Sequence, residues 1–213
     1  MNQALRYEQV FQKYLPKPFV ALVVNLLMQS NVQFKIVKSR STKLGDFRPK
    51  NLQGKPQITV NGNLNPYAFL ITTLHEFAHW KTFERYGRNA APHGAEWKSS
   101  FASLIEKIID HPELPLSLKA ALKKSLTNPK ASSCTDLRLN RVLMSFDVPV
   151  GAESTLENLP KNATFALSNR LFVKGNKRRS RVECKELSSG KLYLVHLLAK
   201  VTPINEDERS KYL

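Results

Sequence analysis

Cysteine is nearly absent from this chain. Two occur in 213 residues, Cys134 and Cys184, fifty positions apart. That spacing excludes a disulfide framework, and with no histidine pair nearby it excludes a cysteine-based structural zinc site. Long apolar runs are missing too. The longest, residues 19–28, is too short to span a bilayer and contains Asn25. Residues 1–8 lack the layout of a signal peptide. These absences point to a cytoplasmic protein with no membrane segment. Acidic residues are the third scarcity: 17 Asp and Glu against 33 Lys and Arg, a formal net charge of +16. Such an excess predicts attraction to polyanions, most simply nucleic acid. A hydrophobic content of 42% argues against wholesale disorder and allows one sizeable domain with a small appendage.

What the chain does contain is His75-Glu76-Phe77-Ala78-His79, an HExxH motif. Histidines four positions apart on a helix share a face, one turn apart, so both imidazoles reach one ion. The intervening glutamate can then address a water at that ion. This is the zinc-hydrolase pattern, with Glu76 as the catalytic residue and Zn2+ as the cofactor. The local sequence is helical. Phe69, Leu70, Thr73, Phe77 and Trp80 recur at amphipathic spacings, Asn65-Pro66 supplies a cap and a first-turn proline, and Gly87 supplies a stop.

A catalytic zinc takes three protein ligands, so a third must come from outside this helix. His93 is the better candidate, in a Gly-containing turn that would return over the helix, and Glu96 is the rival. His111 reads as a cap beside Pro112, and His196 as an ordinary strand residue.

The stretch from Thr42-Lys43-Leu44-Gly45-Asp46-Phe47-Arg48 to His93-Gly94-Ala95-Glu96-Trp97 resembles the SprT family of zinc metalloprotease-like proteins, relatives of the Spartan-type DNA–protein crosslink proteases. Leu64-Asn65-Pro66-Tyr67 before the motif and His-Gly-x-x-Trp after it are its more specific elements. The likeness covers about the first 110 residues. It implies a zincin-like metalloprotease domain, with His75, His79 and His93 as zinc ligands and Glu76 as the catalytic residue. Many SprT-like proteins also carry a four-cysteine zinc ribbon. This chain lacks the cysteines for one.

Along the chain, residues 2–15 and 17–29 read as helices split by Pro16 and Pro18. Residues 32–38 and 57–60 read as strands. The HExxH helix follows, then helices over 95–109 and 116–126. Proline, serine and glycine punctuate residues 128–161. Short alternating runs at 164–167, 171–173, 181–185 and 192–197 read as a small antiparallel unit, with turns at Lys174-Gly175-Asn176 and Ser188-Ser189-Gly190. The expected class is α+β: a metalloprotease domain over 1–130, a linker over 131–161, a small basic β unit over 162–205, and a polar tail over 205–210.

Residues 1–130 carry 19 basic and 8 acidic groups, so no single tail explains the charge. The sharpest cluster, Lys174, Lys177, Arg178, Arg179 and Arg181, is the expected nucleic-acid contact. A second basic set is Lys35, Lys38, Arg40, Lys43, Arg48, Lys50 and Lys55. The leading expectation is therefore a zinc endopeptidase acting on proteins associated with or crosslinked to DNA. The alternative is a non-catalytic basic nucleic-acid-binding protein whose zinc site is structural or vestigial. A third reading, a peptidase with no nucleic-acid role, uses the charge for solubility alone.

Overall fold

A computed structural model describes residues 2–40, 42–50, 52–127, 136–148 and 153–205. These form two compact units that divide after Asp147.

The first unit opens with α1 (Gln3–Phe11), capped by the Asn2 side chain, which accepts from the Ala4 N–H at 3.1 Å. α1 ends short of the expected limit at residue 15. Pro16 disfavours helical geometry in the residue before it, and the chain leaves through turns that still bury Leu15. A turn of 3-10 helix at Lys17–Phe19 leads into α2 (Val20–Met28), which buries Val23, Val24 and Leu27.

A three-stranded sheet follows: β1 (Gln33–Val37), β2 (Gly45–Arg48) and β3 (Gln57–Asn61), in the order β1-β3-β2. β3 runs parallel to β1 and antiparallel to β2, with Phe47 opposite Ile58 and Gly45 opposite Val60. β3 is central, and Ile58, Thr59, Val60 and Asn61 are all buried. β2 was not expected from the sequence. Gly-Asp-Phe-Arg has little intrinsic preference for a strand, and pairing with β3 makes it one.

Across this sheet lies α3 (Pro66–Tyr86), the HExxH helix. The Asn65 side chain caps it through the Ala68 N–H at 2.9 Å. Gly87, at φ +60°, stops it in a conformation that suits glycine. From Phe69 to Ala78, α3 is buried almost all round except at Thr72, which is why its apolar pattern is broader than one stripe. α4 (Ala95–Ile109) packs on α3 through Trp97, Phe101, Leu104, Ile105 and Ile108. α5 (Leu116–Thr127) continues the helical layer.

The segment read as a linker over 131–161 departs from that reading. Residues 128–135, with Cys134, and 149–152 lie outside the described residues, but the rest is built into the units. α6 (Leu137–Met144) belongs to the first: its Leu139 and Leu143 are buried against α5 and α3. The Asn65 Nδ2 donates to the Leu143 carbonyl at 2.8 Å and to Asp147 Oδ1 at 2.6 Å, tying the end of α6 to the start of α3. The serines and prolines before α6 masked a short helix whose packing partners are distant in sequence.

The second unit is a six-stranded sheet: β4 (Ser154–Thr155), β5 (Thr164–Leu167), β6 (Arg170–Lys177), β7 (Arg181–Glu186), β8 (Leu192–His196) and β9 (Lys200–Pro203), in the order β4-β9-β5-β6-β7-β8. Its strand pairs are antiparallel. The turn expected at Lys174-Gly175-Asn176 is not there. β6 runs through it with a register irregularity between Lys174 and Lys177, and the chain reverses near Arg178–Ser180. Gly175 serves another purpose: a Cβ there would lie 2.6 Å from the Glu183 carbonyl oxygen, so only glycine allows the strands this close. Cys184 is a buried free thiol. The polar tail beyond residue 205 lies outside the described residues. Among the described residues, no helix is long and apolar enough to cross a membrane.

Candidate metal centre

Helix geometry settles half of the site. His75 and His79 sit one turn apart on the same face of α3, and their Nε2 atoms are 3.1 Å apart. The chain then turns at Gly87–Asn89 and comes back, so that His93 Nε2 lies 3.1 Å from both. These three side chains are close enough to hold one metal ion. Glu96 is not part of the group. It lines an open depression with Arg85, Tyr86, Asn89 and Ala90.

The triangle suits a cation and little else. A neutral imidazole nitrogen offers either one proton or one lone pair, so no more than one of the three contacts can be a good hydrogen bond. Tetrahedral bonds of about 2.0 Å to nitrogen require an edge of about 3.3 Å between donors, close to that observed. The environment also keeps the rings neutral. Burial lowers the pKa of His75 to about 2, helped by the nearby His79 and His93. Burial, with His93, lowers His79 to about 4. Burial, with Lys98, lowers His93 as well. A neutral imidazole presents the lone pair that a metal needs.

Glu76, next to His75 in α3, lies against the wall formed by β2. It is 6% exposed and accepts from the Phe47 backbone N–H. Burial pushes its pKa up to about 8, and the charge of Asp46 adds to this; Arg40 and Lys43 oppose it. Gly45 makes room for it: a Cβ on Gly45 would sit 2.5 Å from Glu76 Oε1 and 2.7 Å from Thr72 Cγ2. Behind this wall, Asn61 pins the loop that leads into β2. It accepts from Arg40 Nε at 2.9 Å and donates to the carbonyls of Arg40 at 3.2 Å and Lys43 at 3.0 Å.

The resemblance takes in Gly45-Asp46-Phe47 but gives it no role, and no periodicity marks it as a strand. Trp97, against the histidine rings, carried a signal in its spacing from His93.

The remaining histidines behave as expected. His111 Nδ1 accepts from the Glu113 N–H at 3.2 Å, and His196 is an exposed residue of β8. Tyr67 packs on Phe146, tilted by 48° with centroids 4.6 Å apart, and Tyr86 lies under the Arg85 guanidinium.

The basic cluster divides. Lys177, Arg178, Arg179 and Arg181 are exposed, with Arg178 paired to Glu183 at 2.8 Å. Lys174 is not a surface cation. It is buried, and its ammonium donates to the carbonyls of Leu159 and Glu157. It sits on β6 opposite Cys184, on the face that packs inward. The second basic set is also partly committed. Arg40 binds Asn61 and Thr59, while Lys43 and Arg48 both pair with Asp46.

No protein-family model, no curated protein sequence and no solved structure matches this chain.

Proposed function

We propose that the first unit is a zincin-like, zinc-dependent endopeptidase of the SprT type, acting on proteins associated with or crosslinked to DNA. The observation that carries this reading is the triangle of three neutral imidazole nitrogens at 3.1 Å with a buried carboxylic acid next to it in the same helix. A purely structural site has no use for that acid.

His75, His79 and His93 would hold the zinc through Nε2. When bound, zinc supplies Lewis acidity, polarising a water and the scissile carbonyl. Glu76 accepts the proton of the attacking water and delivers it to the leaving amine. Without a metal the Glu76 carboxyl is mostly protonated at neutral pH, since its pKa stands at about 8 even with Arg40 and Lys43 beside it. A dication held by its neighbours would favour the ionised form, so loading the site would arm the base. The outer edge of β2 meets no further strand among the described residues; its Phe47 N–H donates to Glu76, and the remaining outward backbone groups could pair with an extended substrate.

The nucleic-acid half of the proposal draws on the +16 charge and on the exposed cations Lys177, Arg178, Arg179 and Arg181. Binding there would bring enzyme and DNA-bound substrate together by raising effective concentration.

Elemental analysis tests the metal: one zinc per chain in the wild type, sharply reduced in His93→Ala. Proteolysis of a DNA-bound protein, with and without DNA, tests the activity. A Glu76→Gln variant that keeps its zinc and still cleaves at the wild-type rate refutes the mechanism. A zinc-loaded wild type with salt-sensitive DNA binding and no proteolysis favours the non-catalytic alternative.

A further inference from the structure

The three histidines share one neighbour. The indole of Trp97 is 1% exposed, with its ring centroid 4.7 Å from His75, 5.3 Å from His79 and 4.7 Å from His93. Phe101 backs it in a parallel stack, 5.0 Å away and 11° from coplanar. Trp97 is therefore wedged between the helical core and the metal-facing rings.

The histidines do not depend on that wedge equally. His75 and His79 are held by the hydrogen-bonded backbone of α3. His93 lies in the loop just before Gly94, the N-cap of α4, which makes no side-chain capping bond. His93 also has φ +57°, in the left-handed region that residues with a side chain sparsely populate. Its turn is supported locally by the Gly94 N–H donating to the Ala91 carbonyl at 2.9 Å. The ring contact with Trp97, nearly perpendicular at 86°, bridges the cap from the first turn of α4. An apolar staple at a helix start fixes the entry angle of the chain in the same way.

We propose that Trp97 is a positioning residue for the metal: it holds His93, and so the third ligand, in place across the N-cap of α4. This rests on the metal-site reading above. The indole Nε1 is buried with no hydrogen-bond partner among the described residues. The contribution of Trp97 is thus the ring itself, and phenylalanine should largely replace it.

The test is zinc affinity of the full chain, measured by competition with a chromophoric chelator, with the visible spectrum of the Co2+-loaded protein as a second readout. Trp97→Ala should weaken zinc binding by about 10–100-fold, the range for losing a residue that orients a ligand. It should also change the Co2+ spectrum. Trp97→Phe should restore both. On a His93→Ala background, Trp97→Ala should add no further loss, because its effect runs through a ligand already gone.

Wild-type affinity in Trp97→Ala, or losses that add fully with His93→Ala, would overturn the inference. If Trp97→Ala does not fold, Trp97→Leu keeps apolar bulk without the ring and carries the same expectations. A wild type that binds no zinc at all overturns the metal reading itself, which separates that failure from this one.

Discussion

The histidine triangle and the basic hairpin are each announced by a short run of sequence, and the structure treats the two runs differently. His75 and His79 are four apart on a helix, a spacing that places them on one face. The cations from Lys174 to Arg181 lie along a strand and a turn. Side chains alternate faces on a strand, so neighbours in the run diverge. Lys174 goes inward to two backbone carbonyls, while Lys177, Arg178, Arg179 and Arg181 stay in water. A charge cluster in sequence is therefore not yet a surface patch, whereas a helical i, i+4 pair is already half a site.

Substitutions can sharpen that contrast. The largest effect belongs to Glu76→Gln, which should lower kcat for peptide cleavage by about 10²–10⁴-fold with zinc content unchanged, the range for losing general acid–base catalysis. Steady-state proteolysis beside elemental analysis checks it.

The next concerns pH in the metal-free protein. His75 and His79 have folded-state pKa values of about 2 and about 4, below the ordinary 6.5. As pH falls below 6.5 the unfolded chain takes up protons that the folded chain refuses, so stability drops. By pH 5 the loss is on the order of 2 kcal/mol for each histidine. Glu76 works in the opposite sense. Its folded pKa of about 8, raised from 4.5, makes the fold gain stability as pH falls through that window. The two trends offset each other in the wild type. Metal-free Glu76→Gln should therefore lose stability more steeply on acidification than the wild type does. Urea unfolding across pH 8 to 5 decides it.

Lys174→Ala removes the donor to two carbonyls and should destabilise the second unit by about 1–3 kcal/mol, read by denaturant unfolding. Gly45→Ala should crowd Glu76 and lower cleavage by roughly tenfold without metal loss, the scale on which small displacements of a base act. The smallest stability change belongs to Lys177→Ala, within about 0.5 kcal/mol. It should instead flatten the salt dependence of DNA binding by about 0.9 in log–log slope, as expected for one lost phosphate contact. An unchanged slope would take Lys177 out of the nucleic-acid surface.

The elements read most easily from sequence were those with local causes. α3 declared itself through Asn65-Pro66, its apolar spacing and Gly87. In the second unit β5 to β8 declare themselves by alternation, whereas β4 and β9 are too short to show it and take shape by pairing; Gly175 reads as a turn because glycine marks both turns and close strand approaches. What escaped was held by distant partners. β2 exists because β3 pairs with it, and α6 because Asn65, α3 and α5 receive it.

By itself, then, the sequence determined a helix carrying two histidines on one face with a glutamate between them, an α+β composition, and a strong positive charge. These follow from spacing and counting, which need no folded context. Only the tertiary structure decided that His93 rather than Glu96 joins the pair, that Gly45 and Phe47 wall in Glu76, that Trp97 backs the histidine rings, and that Lys174 is buried. Each depends on two segments meeting in space, and the energy of such a meeting lies in packing and desolvation that no local pattern records.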